Sequence, residues 1–469
     1  MEALPAELTM DILSRLPVKT IIRCKLVCKK WRNFVSDSFF VNLHLSRSPL
    51  VLMIQEKDKY SYFPGILKWM EIEHKVDHHD LRYDPLMSLD LNMISVFQNS
   101  LINQMGSVNG FICLWQFSPK LKFSDTYICN PVTREIMILP RQQQNYKQGF
   151  STVAYGFGVT SLTVEYKVVR IFKSSRPSVL EADVYTLGTG QWRSLGPVPY
   201  RLYGSRGEFL NDRFHWIVYK KKDSPERICT FDLTSETFQL FPSPPSETID
   251  ESYRPSQSLA VLKGCLCKSD SYGSQFSLWV MKEYGIKKSW HKEVVITHSI
   301  SHGLGRPYLK AISLTEGLKD GSILLVSMGK LWAFYPRSKT IEEIEMIDYF
   351  ASVISYRPSF LRLRNFESES FNQKTLGLVY GLPNSYLQTG LVNGPARPGP
   401  NPVFGRSNPG LSPRTGNRSG TRAEPGKPGL NPKPGPETGP NPAGTRAGNR
   451  SEPGRNPSPT QPGFDQTRV

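Results

Sequence analysis

Long apolar runs are missing from this 469-residue chain, and nothing in it approaches the roughly 18 consecutive apolar residues of a membrane-spanning helix. The opening Met1-Glu2-Ala3-Leu4-Pro5 lacks the basic-then-apolar order of a secretory leader. An intracellular protein, in the nucleus, the cytoplasm or both, is therefore expected, with no membrane partner. The seven cysteines are odd in number and follow no disulfide-framework spacing, so in a reducing compartment they are expected as apolar fillers. Signatures of catalysis are missing too: there is no Walker sequence, no G-x-S-x-G elbow and no H-E-x-x-H. Gly156-Phe-Gly158 has neither a third glycine nor an acidic residue at the distance a dinucleotide loop requires, and reads as a strand-turn pair. No catalytic residue and no cofactor is assigned, and the chain is expected not to be an enzyme. The net charge of +17 is not gathered into one stripe; Lys220–Lys222 is the densest short run outside the N-terminal helices, which argues against nucleic acid.

Three zones are present. Residues 1–46 read as short helices. Leu8, Ile12, Leu13 and Leu16 recur at helical spacing, and Pro17 ends that segment. Thr20 is the expected N-cap of a second helix, in which Cys24, Val27, Cys28, Trp31 and Phe34 or Val35 share one face. So small a unit buries little by itself, which points part of its apolar face toward a partner.

Residues 50–365 read as strands: Phe111–Trp115, Tyr127–Cys129, Tyr166–Phe172, Phe214–Tyr219, Phe276–Met281 and Leu331–Phe334 are β-branched and aromatic runs set between turn residues. A strand–turn–strand unit recurs with turns near residues 133, 189, 234, 286 and 339, about 45 to 55 residues apart, which is the period of four-stranded propeller blades. Five repeats are visible, and the strands near residues 50–72 complete a sixth blade or help close the ring. From Leu391 to Val469 lie 17 of the 37 prolines and 14 of the 36 glycines, with only Phe404 and Phe464 as aromatics. Such a segment cannot offset its ordering entropy and is expected to be a disordered tail.

The first zone carries a specific resemblance. Leu4-Pro5-x-Glu7-Leu8-x-x-Asp11-Ile12-Leu13-Ser14-Arg15-Leu16-Pro17, then Arg23-Cys24-Lys25-Leu26-Val27-Cys28-Lys29-Lys30-Trp31-Arg32 and Asp37-x-Phe39-Phe40, resemble a plant F-box. In that family the motif is a three-helix bundle that docks on the Skp adaptor of a cullin–RING ubiquitin ligase. The resemblance implies that Leu4, Pro5, Leu8, Ile12, Leu13, Leu16, Pro17, Val27, Cys28 and Trp31 lie at that interface or directly support it. The second zone resembles the F-box-associated domain, through Gly106-Ser-Val-Asn-Gly-Phe-Ile-Cys-Leu, Tyr127-Ile-Cys-Asn-Pro-Val-Thr-Arg-Glu and Val184-Tyr-Thr-Leu-Gly-Thr-Gly-Gln-Trp-Arg.

The expected architecture is thus α+β multidomain: a three-helix F-box, an all-β propeller-like domain and a tail. The implied function is the substrate-recognition subunit of a Skp–cullin–F-box ligase with an unknown target protein. The alternatives are a non-ligase binding module with a degenerate F-box, or a glycan- or small-ligand-binding propeller using Trp115, Trp192, Trp216 and Trp279. The cluster His74, Asp77, His78, His79 and Asp80 has helical zinc spacing at His74 and His78, but a solvated loop explains it as well, and no metal is assigned.

Overall fold

The computed structural model describes residues 4–56, 65–74, 79–82, 87–118, 123–141, 152–173, 179–219, 227–245, 256–272, 275–297, 309–313, 318, 320–344, 350–366 and 376–378. The expected tail at 391–469 and the Lys220–Lys222 run lie outside them. Four helices come first: α1 (Ala6–Ser14), α2 (Val18–Cys24), α3 (Lys29–Ser36) and α4 (Ser38–Arg47). Three were expected. Thr20 lies inside α2, whose N-cap is Pro17, and the single helix expected over residues 20–35 is split. Cys28 adopts an extended backbone and its Sγ accepts from Trp31 N at 3.5 Å, so it caps α3 instead of extending α2. Asp37 caps α4, accepting from Phe39 N at 2.8 Å. Helix-forming residues at 25–28 gave no local stop signal; the break turns Leu26 and Val27 outward while Cys24 and Val35 remain inside.

The strands build six blades, the third and fourth joined into one eight-stranded sheet by a parallel bridge between Tyr155 and Arg206. The first contains β1 (Val51–Glu56), β2 (Ile66–His74) and β3 (His79–Arg82), with β4 (Ser88–Asp90) beside β2. The second is β5 (Leu101–Val108), β6 (Phe111–Ser118), β7 (Phe123–Asn130) and β8 (Glu135–Ile138). The third runs β9 (Thr152–Val159), β10 (Tyr166–Lys173), β11 (Leu180–Thr186) and β12 (Trp192–Val198). The fourth runs β13 (Leu202–Leu210), β14 (Arg213–Val218), β15 (Ile228–Asp232) and β16 (Thr237–Phe241). The fifth is β17 (Ser256–Leu262), β18 (Cys265–Tyr272), β19 (Gln275–Met281) and β20 (Trp290–Ile296). The sixth is β21 (Lys310–Ala311), β22 (Ile323–Ser327), β23 (Lys330–Tyr335) and β24 (Thr340–Ile344). The innermost strand of the first blade comes from far along the chain: β25 (Phe350–Tyr356) pairs antiparallel with β1, Val51 opposite Tyr356. That pairing closes the ring. A last strand, β26 (Leu376–Leu378), beyond the expected domain end at 365, adds to β8 at the edge of the second blade.

The period-2 alternation of strand side chains explains why the ring holds. On β1, Val51 and Met53 enter the core between blades one and two, while Leu52 and Ile54 enter the core between blades one and six. On β6, Ile112 and Leu114 join the first of these, and Phe111 and Cys113 the core between blades two and three. Every blade therefore has two apolar faces, each buried against a neighbour, at roughly 1.5–3 kcal/mol per large side chain. The Gly156-Phe-Gly158 pair belongs to one such seam and is not a turn. Both glycines sit within β9, and a Cβ built on them would meet the Phe214 ring at 2.6 Å and the Phe209 ring at 2.6 Å.

After β25 the chain runs back under the ring. The hairpin β5–β6 turns at Asn109 (φ 49°) and Gly110 (φ 87°), and a Cβ on Gly110 would lie 2.3 Å from Ser359 Cβ and 2.9 Å from its nitrogen. Gly110→Ala therefore combines backbone strain with a backbone collision and is expected to lower stability by about 2–4 kcal/mol. Gly264→Ala has a similar φ of 73° and nothing within 4 Å, so it supplies the strain alone, about 1 kcal/mol. Thermal unfolding followed by circular dichroism compares the two, and equal losses would disprove the close approach.

Candidate functional site

The helical unit has its own core, made of Leu13, Val18, Ile21, Cys24, Val35, Phe40 and Val41 together with one residue from beyond the propeller, Phe360. Phe360 is 3% exposed. It meets the His44 ring edge-on at 5.2 Å, lies 6.4 Å from the Phe40 ring, and has Lys25 Nζ 5.9 Å above it. Around it the backbone is pinned: Ser48 Oγ donates to Pro358 O at 2.9 Å, and Arg357 donates to Ser48 O. Asn130 Nδ2 donates to Ser359 O at 3.0 Å and to Leu361 O at 2.6 Å, while Leu363 N donates to Glu135 Oε2 at 2.7 Å. The helices are thus fixed to the ring through residues 357–363. On α1, Asp11 binds both Arg15 and Arg47, which ties α4 to α1 and holds the Asp11 carboxyl below its ordinary range.

This unit also exposes large apolar side chains. Leu4, Leu8, Ile12, Leu26, Val27 and Phe39 are each at least half exposed, and they make up six of the fourteen exposed large apolar side chains among the described residues. Six within the first 39 residues is a concentration that a solvated helical unit has no reason to keep. Of the residues expected at an interface, Leu4, Pro5, Leu8, Ile12, Pro17, Val27 and Cys28 are exposed. Leu13 is buried at 3%, so it belongs to the core; Leu16 and Trp31 are partly buried and pack against that core. These three support the surface without forming it. Leu26 and Phe39 were not singled out by sequence pattern, because Leu26 reads as mid-helix and Phe39 as one half of an aromatic pair.

Other candidates come apart. Backbone pairing places His74 opposite His79 across the β2–β3 hairpin, so the helical spacing read for zinc does not apply; Asp77 and His78 lie outside the described residues. Among the described residues no group of three His, Cys, Asp or Glu is placed to hold a metal. The four tryptophans do not form one platform. Trp115 is partly buried and stacks on Phe117 at 6.0 Å, Trp216 is buried in a seam, Trp192 donates to Pro140 O at 2.7 Å under Arg170, and Trp279 lies beneath Lys292 at 5.1 Å. All seven cysteines are free, and Cys28 alone is exposed. Burial pushes the Cys229 and Cys267 thiols up to about 12.

Residues 1–46 match the F-box-like family, and residues 60–338 match the F-box associated beta propeller domain, a span of more than half the chain. The chain belongs to the F-box proteins that carry this propeller. Among its relatives is the F-box protein At3g07870 of Arabidopsis thaliana, 27% identical over 354 residues, covering 70% of this chain and 80% of the relative. The F-box protein CPR1 of Arabidopsis thaliana is 29% identical over 321 residues, covering 62% and 72%. The F-box/kelch-repeat protein At3g23880 of the same plant is 25% identical over 304 residues, covering 62% and 78%. F-box proteins are in general non-catalytic adaptor subunits, and the F-box typically binds a Skp adaptor. In this plant F-box protein the helices of that domain carry exposed apolar side chains at Leu4, Leu8, Ile12, Leu26, Val27 and Phe39.

His44, between Phe40 and Phe360, is 1% exposed, and burial pulls its imidazole down to about 4. A folded-state value below the ordinary 6.5 leaves stability intact above pH 6.5 and removes it as pH falls from there toward 4. Between pH 7 and 4.5, the chain should lose about 2 kcal/mol more than the His44→Leu variant. Urea unfolding at the two pH values measures this, and parallel pH profiles would contradict a neutral buried imidazole.

Proposed function

We propose that this chain is the substrate-recognition subunit of a Skp–cullin–F-box ubiquitin ligase, working inside the cell in the nucleus, the cytoplasm or both. Its F-box docks on the Skp-type adaptor, and its propeller recruits a target protein. The observation that carries this reading is the exposed apolar set on helices locked to the ring at Phe360. Covering side chains that are already half buried is worth about 1 kcal/mol apiece, before the cost of association. A rigid joint between docking surface and propeller then fixes where a target stands relative to the ligase. Catalysis follows from proximity, since tethering raises the target's local concentration near the ubiquitin-loaded enzyme. The chain itself supplies no reacting group in this scheme.

Strand direction supports placing the target on the face away from the helices. β25 ends and β1 begins on the side of the helices, where the β5–β6 turn also meets Ser359. β1 and β6 therefore end, and β2 and β7 begin, on the opposite side. That side is left open for a target while the adaptor is bound. Loops joining strands on a rigid ring are where binding specificity is usually carried.

The combined change Leu4→Ala, Pro5→Ala and Leu8→Ala removes exposed side chains only. It is expected to reduce co-purification of the Skp adaptor at least tenfold, with an unchanged circular-dichroism melt. Adaptor recovered at the wild-type level from the triple variant would refute the docking assignment.

A further inference from the structure

Inside the ring lies a cavity of about 570 Å³, lined by residues of all six innermost strands, β25, β5, β9, β13, β17 and β21. Three of these strands depart from regular pairing where they line it. β25 bulges at Ala351, between the pairs Gln55–Ser352 and Glu56–Phe350. β5 bulges at Met105, between Gln104–Leu114 and Gly106–Cys113. The largest departure is in β13. Tyr203 pairs with Ile217 and Glu208 with His215, so toward β14 residues 204–207 stand against Trp216 alone, while on the other edge Arg206 bridges Tyr155 of β9. Gly204, at φ 93°, makes that excursion possible, and a Cβ on Gly207 would meet the Trp216 ring at 2.7 Å. The result sets Ser205 and Arg206 on the cavity wall. Bulges forfeit ladder hydrogen bonds, and they recur where a side chain must be aimed at a ligand.

The chemistry gathered there is uneven. Gln104 is 4% exposed, lines the cavity, and has neither a donor for its Oε1 nor an acceptor for its Nε2 among the described residues. An amide buried with both ends unmet is costly unless something else meets them. Arg206 and Lys310 bring two positive charges; Glu208 brings one negative charge, shared between Arg206 at 3.3 Å and Ser313. Lys310 has no acidic partner among the described residues. His215 stays neutral at pH 7, because burial pulls it down to about 4. The wall thus holds a net positive charge, beside apolar surface from Met105, Trp115 and Val353.

We propose that this cavity binds a small organic hydroxy-carboxylate: the carboxylate against Lys310 and Arg206, the hydroxyl donating to Gln104 Oε1 and accepting from its Nε2. A hydroxyl is the smallest group that satisfies both ends of one amide, and a carboxylate answers the excess positive charge. The site is independent of adaptor docking, because none of its residues belongs to the helices.

The test uses the full chain and saturation-transfer NMR with mandelate as probe. Phenylacetate lacks the hydroxyl, benzyl alcohol lacks the carboxylate, and inorganic phosphate is a bare anion; these are the comparison probes. Mandelate is expected to bind at least fivefold more tightly than any of the three. Gln104→Leu should erase its advantage over phenylacetate, and Lys310→Met should weaken both carboxylates at least fivefold. Lys310 is exposed, so its variant reports even where Gln104→Leu fails to fold. Phosphate binding as well as mandelate, no saturation transfer to mandelate, or transfer unchanged in Lys310→Met would each overturn the assignment. The triple F-box variant should bind mandelate as the wild type does, so loss of the adaptor and loss of the probe are separate readouts.

Discussion

Phe360 is shared by two folding units, and the arrangement of the molecule depends on that sharing. The helices bury Leu13, Ile21 and Phe40, too little for an independent domain of fewer than fifty residues, and Phe360 completes their core. The same short segment is held to the second blade by Asn130 and Glu135. A hydrophobic anchor flanked by directional hydrogen bonds fixes orientation as well as distance. The helices therefore serve as a mounted part of the propeller, and Leu4, Leu8, Ile12, Leu26, Val27 and Phe39 are left uncovered by the contacts that hold them.

Within the ring, stability is distributed. Each seam draws alternate residues from neighbouring sheets, so each blade relies on both its neighbours, and no single seam closes the structure by itself. Polar links are added at particular seams. Trp192 reaches Pro140 O, and Trp290 reaches Pro242 O at 3.1 Å, each joining an outer strand to the preceding blade. Lys167 of the third blade reaches Glu236 of the fourth at 3.0 Å, and Arg193 binds the same carboxylate. Burial raises the Glu236 carboxyl, and the two cations outweigh it, leaving it below its ordinary range.

Much of this was legible in the residues. The F-box resemblance rested on closely spaced positions such as Leu4-Pro5 and Trp31, and the repeating turns fell between the third and fourth strands of blades two to six. What escaped has physical reasons. The break at residues 25–28 carries no Gly or Pro stop signal, and tertiary contacts at Cys24 and Val35 decide where the helices divide. Gly156 and Gly158 looked like a turn, because one sequence does not show that Phe214 and Phe209 from another blade occupy the space of their missing side chains. Gln104, Arg206 and Lys310 are 206 residues apart from first to last, and their meeting depends on bulges, for which sequence offers little beyond Gly204 and Gly207.

The pairing of β25 with β1 has a bearing on how the chain is made. Synthesis delivers residues 51–56 early and their inner partner, residues 350–356, some three hundred residues later. Until then the first blade has an open edge and the helical core lacks Phe360. A chain that stops short of residue 350 has neither a sealed ring nor a finished helical core, whatever its first 46 residues say. Completeness of the polypeptide is thereby written into the helical end of the molecule, so a prematurely terminated copy carries an F-box without its mount.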